Sequence, residues 1–213
     1  ETMRSFASDN NSGVHPLVMA ALNRANTDHA LGYGDDKWTE EAVAKIKETF
    51  TQDCVPLFVF NGTGSNVVAL QLMTRPYHSI FCAETAHIYV DECGSPVKMT
   101  GCQIRPIATP DGKLTPDLVR PYLCHFGEQH HSQPGAIYIS QCSELGTVYK
   151  PDELRALTDL AHRHGMYVHM DGARLANACV ALNLGFRELT VDCGIDILSF
   201  GGTKNCLLYT SPS

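Results

Sequence analysis

The chain alternates between two hydrophobic periods, and this alternation restricts its fold more than any other feature. Short apolar runs of about four to eight residues give way to stretches with apolar residues at helical spacing. The apolar runs predict strands at Leu57–Phe60, Ser79–Ala83, Ala136–Ser140, Tyr167–Met170 and Ile195–Phe200, with a weaker one at Cys102–Ile107. Helices are predicted over residues 15–26, over 39–50 with Thr39 as N-cap, over Val67–Met73, over Pro151–His164 and over Arg174–Leu182. Within Pro151–His164, Leu154, Leu157 and Ala161 share one face, and Gly165 ends the helix. The Asp-Gly turn of DGKLTPD, residues 111–117, leads into a further helix start. Strands separated by helices of about 10–15 residues need crossover connections. Crossovers make strands parallel and lay helices on both faces of the sheet, so an α/β fold with a mostly parallel sheet is expected.

Composition removes several functional classes. A chain of 213 residues with 44% hydrophobic and 18% charged residues can bury a real core. Its 16 Lys+Arg against 23 Asp+Glu give a net charge of −7, which argues against nucleic acid or an anionic membrane as partner. No apolar run approaches the roughly 18 residues of a membrane span. The N-terminal ETMRSFASDNN has no apolar stretch of the kind a secretion signal needs. The nine cysteines include no C-x-x-C pair and read as core residues in a reducing cytoplasm. Neither internal repeats nor low-complexity linkers divide the chain.

Ligands of parallel sheets sit beyond the carboxyl ends of the strands. Three loops in that position carry unusual residues. NGTGSN, residues 61–66, opens a helix with two glycines and free amides, which suits a phosphate; the alternative is a tight turn with a capped helix. In HMDGAR, residues 169–174, Asp171 ends an apolar strand, where a carboxylate needs a partner. Asp171 suits a protonated ring nitrogen and Arg174 an anionic group; alternatively the two form an ion pair that closes a turn. SFGGTKN, residues 199–205, puts Lys204 just past a strand. A desolvated lysine there is a nucleophilic amine able to form a Schiff base, whereas a solvated one is inert. A phosphate cradle, an aspartate for a pyridinium and a lysine for an aldehyde are together what pyridoxal 5'-phosphate requires.

With these loops the chain resembles the pyridoxal-phosphate enzymes of fold type I, the aspartate-aminotransferase fold. More closely it resembles the low-specificity threonine aldolases of the β-eliminating-lyase family. SDN at 8–10, YGDD at 33–36, NGTGSN, ETAH at 84–87, HMDGAR and SFGGTKN carry the resemblance, in the family's order. It implies that Lys204 bonds the cofactor aldehyde, that Asp171 holds the pyridine nitrogen, and that Gly62 and Thr63 hold the phosphate with Thr203 nearby. His87 would stack on the cofactor ring and is a candidate base, directly or through a water. Ser8 and Arg174 would bind the substrate carboxylate, and Tyr33 would approach the site from a neighbouring subunit of a homodimer or homotetramer. The implied reaction is retro-aldol cleavage of threonine, allo-threonine or phenylserine to glycine and an aldehyde. Another pyridoxal-phosphate lyase or racemase, or an inactive fragment, is the alternative.

Two stretches depart from the family pattern. Where many members carry a histidine after the fifth strand, SQCSELG at 140–146 has Glu144, read as a candidate base, a water-orienting group or a turn residue. After Lys204 the tail CLLYTSPS replaces the usual glycine and reads like translated library-adapter sequence; the alternative is a genuine strand LLYT. The expected organisation is therefore an N-terminal helical segment over 1–50, a cofactor-binding large domain over 51–205, and an artefactual tail over 206–213 that includes Cys206, with a C-terminal small domain absent. The adjacent His130 and His131 suggest a metal, but neighbouring histidines rarely aim at one ion without further ligands, so no metal is expected. His162 and His164 suit the negative end of their helix.

Overall fold

The computed structural model describes residues 8–11 and 13–204. Five strands form one sheet: β1 (His78–Ala83), β2 (Gln103–Ile107), β3 (Gln133–Ser140), β4 (Tyr167–Gly172) and β5 (Ile197–Phe200). Their order is β2-β1-β3-β4-β5, and every neighbouring pair is parallel. The helices are α1 (Pro16–Ala25), α2 (Lys37–Thr49), α3 (Gly62–Met73), α4 (His87–Val90), α5 (Ser95–Thr100), α6 (Pro116–Val119), α7 (Pro151–Arg163) and α8 (Leu175–Leu182). The expected α/β architecture is therefore present, and all strands end on one side.

Strand alternation builds two half-cores. Ile80 and Cys82 of β1, with Ala136 and Tyr138 of β3, pack with Leu70 and Met73 of α3 on one face. Phe81, Ile137, Ile139, Val168 and Met170 point to the other face, against Leu154, Leu157 and Leu160 of α7 and Leu175 of α8. Successive residues of a strand address opposite faces, so each run supplies both cores. Burying the apolar stripe of α7 is what fixes that helix, since most helical stability in proteins comes from packing.

Two expectations need correction. Asp36, not Thr39, caps α2: its Oδ1 accepts from the amides of Trp38 and Thr39, both at 2.9 Å. Thr39 sits inside the first turn, and its hydroxyl donates to the other Asp36 oxygen at 2.7 Å. Leu57–Phe60 forms no strand, and all four side chains are exposed. A strand exists through its hydrogen-bonded neighbour; β5 is the sheet's edge among the described residues, and the run is not laid against it. The expected tail at 206–213, with Cys206, lies outside the described residues.

β4 and β5 approach closely at Gly172. A Cβ there would lie 2.7 Å from Leu198 Cδ1 and 3.0 Å from the Ser199 carbonyl oxygen. This contact sets Asp171 opposite Ser199 in the register, at the end of the sheet where the loops converge.

Candidate active site

Asp171 is the centre of a buried polar network at the end of β4. Its Oδ2 accepts from Tyr138 OH at 2.8 Å and from Asn66 Nδ2 at 3.0 Å, and its Oδ1 accepts from the Ala173 amide at 3.0 Å. Burial alone would push its carboxyl pKa up, but these donors outweigh burial and hold it below the ordinary value. The carboxylate therefore stays ionised. Asn66, on α3, is fully committed: Nδ2 also donates to Glu92 Oε1 at 2.7 Å, and Oδ1 accepts from Ser199 Oγ at 2.9 Å. Ser65 donates to Ser199 Oγ at 2.7 Å, tying the first turn of α3 to β5. Because the Ser199 proton goes to Asn66, His169 Nε2 donates to Ser199, at 2.9 Å. Burial lowers the His169 pKa to about 4, so this imidazole is neutral.

A second group lies across the site. His87 starts α4, and its Nδ1 is 2.9 Å from Glu92 Oε1, a side chain with no exposed surface. The hydrogen bond to Glu92 raises the His87 pKa; burial opposes this, and the charges of Glu92, Asp171 and Asp91 add to it. With Nδ1–H directed at a carboxylate, the neutral ring keeps Nε2 as its acceptor. Glu144 Oε1 accepts from the His87 amide at 2.9 Å and from Ser140 Oγ at 2.6 Å. It anchors the first residue of α4 from the far end of β3.

The third group joins Asp9 to Arg174 and Lys204. Arg174 forks onto Asp9, Nε to Oδ2 at 2.6 Å and Nη2 to Oδ1 at 3.0 Å. Lys204 Nζ lies 3.5 Å from the same Asp9 Oδ1. The turn-closing Asp171–Arg174 pair does not form; Arg174 takes Asp9 instead. Burial would raise the Asp9 pKa, but Arg174 and Lys204 together hold it low. Ser8 precedes Asp9, and its hydroxyl accepts from the Asn10 amide at 3.2 Å.

Gly62 and Thr63 form the first turn of α3, capped by Asn61, whose Oδ1 accepts from the Gly64 amide at 2.7 Å. Half-buried Thr203 adjoins Lys204 in the turn after β5. Tyr33 stands apart from these groups, fully exposed, with φ 65°. Asp9, Asn66, Glu92, Tyr138 and Ser199 were not expected at the site. Asn66 had a signal in the sequence, a polar residue heading an apolar helical stretch; Asp9 lay within the SDN motif beside Ser8.

Residues 5–209 match the family described as beta-eliminating lyase. The chain belongs to the beta-eliminating lyase family. Among curated relatives, it is 43% identical over 203 residues to the low specificity L-threonine aldolase of Pseudomonas sp. (strain NCIMB 10558), covering 95% of this chain and 59% of that protein. A probable low-specificity L-threonine aldolase of Schizosaccharomyces pombe is 33% identical, over 72% of this chain and 40% of its own length. Among solved structures, the threonine aldolase of Leishmania major superposes with a TM-score of 0.87 at 30% identity, covering 94% of this chain and 59% of that one. N-succinyldiaminopimelate aminotransferase of Mycobacterium tuberculosis, at 19% identity and TM-score 0.58 over 76% of this chain and 43% of its own, shares the fold. The chain thus spans 59% of the length of the Pseudomonas relatives it matches. As a member of the beta-eliminating lyase family it has the fold-type-I sheet, and its polar groups gather at the carboxyl ends of those strands.

Proposed function

We propose that this chain serves a pyridoxal-phosphate-dependent carbon–carbon lyase that cleaves L-threonine and related β-hydroxy-α-amino acids to glycine and an aldehyde. One observation carries the reading: Lys204 and Arg174 converge on a single carboxylate, that of Asp9. An α-amino acid holds its amine one carbon away from its carboxylate. Its site therefore needs a cofactor-bearing lysine beside a carboxylate-binding fork.

The residues fit the cofactor. Ionised Asp171, braced by three donors, suits a protonated pyridine nitrogen, and the Gly62–Thr63 turn of α3 suits a phosphate. Half-buried Lys204 would bond the aldehyde, with Thr203 adjacent in the chain. When bound, the cofactor supplies an aldehyde for amines and a ring that accepts the electron pair of the breaking bond. Arg174 orients the substrate through its carboxylate, with Ser8 adjacent. Neutral His87 accepts the β-hydroxyl proton at Nε2, directly or through a water, while Glu92 fixes the ring's tautomer. Glu144 acts as a positioning residue, because its Oε1 is committed to the His87 amide and Ser140. The names of the matched relatives support a loose preference for the substrate side chain. Exposed Tyr33 supports a homodimer or homotetramer in which it reaches a neighbour's site.

The test adds pyridoxal phosphate to the purified chain and follows the imine absorbance band, with Lys204→Ala as control. Threonine, allo-threonine and phenylserine are then offered, and glycine and aldehyde are assayed. An imine band that Lys204→Ala retains removes the assignment. An imine band with no glycine or aldehyde release would limit the reading to cofactor binding.

A further inference from the structure

At the opposite end of the sheet, the loop that enters β3 holds three metal-ligand side chains in one place. His125, Glu128 and His131 bring their donor atoms within 4.8 Å of one another. His125 Nδ1 is 2.9 Å from Glu128 Oε2, and His131 Nε2 is 3.4 Å from the same oxygen. The two imidazoles are stacked, with centroids 4.0 Å apart at 8°; because an imidazole binds a metal in its own ring plane, the rings must turn toward each other to share an ion. Zinc–ligand bonds of about 2.0–2.1 Å in a tetrahedral shell separate donors by roughly 3.3 Å. The two carboxylate-to-histidine spacings, 2.9 and 3.4 Å, bracket that value.

The loop's backbone is organised for these three residues. Gln133, the first residue of β3, turns its side-chain amide inward. Its Nε2 donates to the carbonyls of His125 at 3.2 Å, Glu128 at 3.1 Å and His131 at 2.9 Å. Its Oε1 accepts from the Gly127 amide at 2.7 Å. One buttressed side chain therefore fixes the main chain of all three candidate ligands and of no other residue of the loop but Gly127. His125 adopts a left-handed backbone at φ 67° to join them, a conformation unfavourable for a residue with a Cβ. A cavity of about 330 Å³ adjoins the group, lined by His125, His131, Arg105 and Tyr122. The expectation of no metal here rested on the adjacent His130 and His131. The further ligands come instead from positions three and six residues before His131.

We propose that His125, Glu128 and His131 form a binding site for a zinc-class divalent ion, with the remaining coordination position open to water or an anion. Two imidazoles and a carboxylate suit Zn²⁺, Co²⁺ or Ni²⁺ over Mg²⁺ and Ca²⁺, which prefer all-oxygen shells. β3 runs eight residues from this loop to the candidate active site, roughly 23 Å of extended chain. The ion's place is therefore structural: it cross-links the loop that feeds the central strand, independently of the lyase reading.

The test titrates the metal-free full chain with Zn²⁺ against a chromophoric chelator and records the Co²⁺ visible spectrum, without pyridoxal phosphate. The wild type should take up one equivalent with a histidine/carboxylate-type Co²⁺ spectrum. His125→Ala and His131→Ala should each lower affinity at least as much as the ~10–100-fold expected of Gln133→Leu, an outer-shell change. Glu128→Gln keeps the loop's backbone and should also weaken binding, while Cys124→Ser should leave it unchanged. No uptake by the wild type would overturn the proposal. Affinity unchanged in both histidine variants, or a thiolate band lost in Cys124→Ser, would overturn it as well.

Discussion

Glu92 is buried between two donors, Nδ1 of His87 and Nδ2 of Asn66, while its second oxygen, Oε2, has no partner among the described residues. Since the raised His87 pKa begins with the Glu92 hydrogen bond, Glu92→Gln should lower that pKa toward or below the ordinary 6.5. Imidazole proton shifts followed by NMR across pH 5–9 would check this, an interval set by the usual spread of histidine pKa values, about 6.6 ± 1. An unmoved titration would remove Glu92 from the account of His87. In the wild type the acceptor form of His87 accumulates only as pH rises through the raised value, so cleavage should rise on the alkaline side and Glu92→Gln should shift that limb to lower pH. Arg174 offers a planar fork matched to a carboxylate, and Arg174→Lys replaces two parallel bonds by a point charge. Losing one charged hydrogen bond costs about 1.5–3 kcal/mol, roughly 10–100-fold in KM with a smaller change in kcat. Steady-state kinetics with L-threonine would read that split. At this scale Asp171, Arg174 and Lys204 could be singled out because each lies at or just past the end of an apolar strand run. Glu92 and Ser199 were not, because their partners lie 5 to 134 residues away and neither falls in a pattern that periodicity detects.

Elements were legible where a segment's own pattern decided its state. α7 shows its buried stripe, Leu154, Leu157 and Ala161, directly in the sequence, and its neighbours agree. Leu57–Phe60 failed because an apolar run specifies a wish to be buried, not a partner to hydrogen-bond. Asp36 displaced Thr39 as cap because a carboxylate three residues earlier than expected can take two amides at once. The seam between β4 and β5 is the element-level feature on which the site depends. Gly172→Ala would push against the Ser199 carbonyl, a backbone atom, and against Leu198 Cδ1. Overpacking of this kind costs about 1–3 kcal/mol. The expected result is a lower melting temperature together with weaker cofactor uptake, since Asp171 and Ser199 face each other across that seam. A variant with wild-type cofactor affinity and melting temperature would show the seam to be slack.

Among the described residues, large apolar side chains of the first sixty positions are strongly exposed. Leu17, Leu57, Phe58 and Phe60 are each at least 60% exposed, and α1 buries none of its residues. Exposed apolar surface of this kind favours association between chains. Phe58→Lys with Phe60→Lys should therefore reduce light scattering and shift the chain toward monomer in size-exclusion chromatography, with secondary structure unchanged. An identical elution profile would place the contact elsewhere. The α/β architecture itself was readable because crossovers admit few topologies, whereas the fate of the first 60 residues depends on surfaces that local pattern does not describe.

The Asp9 contact has one more consequence. With Arg174 and Lys204 both directed at it, the anion position is filled by the chain's own carboxylate. On the proposed function, a substrate carboxylate would have to displace or share with Asp9, and its apparent affinity would be reduced by the strength of that hold. Under that reading Asp9 would set a threshold: a ligand would have to offer the Arg174 guanidinium more than Asp9 does in order to take its place.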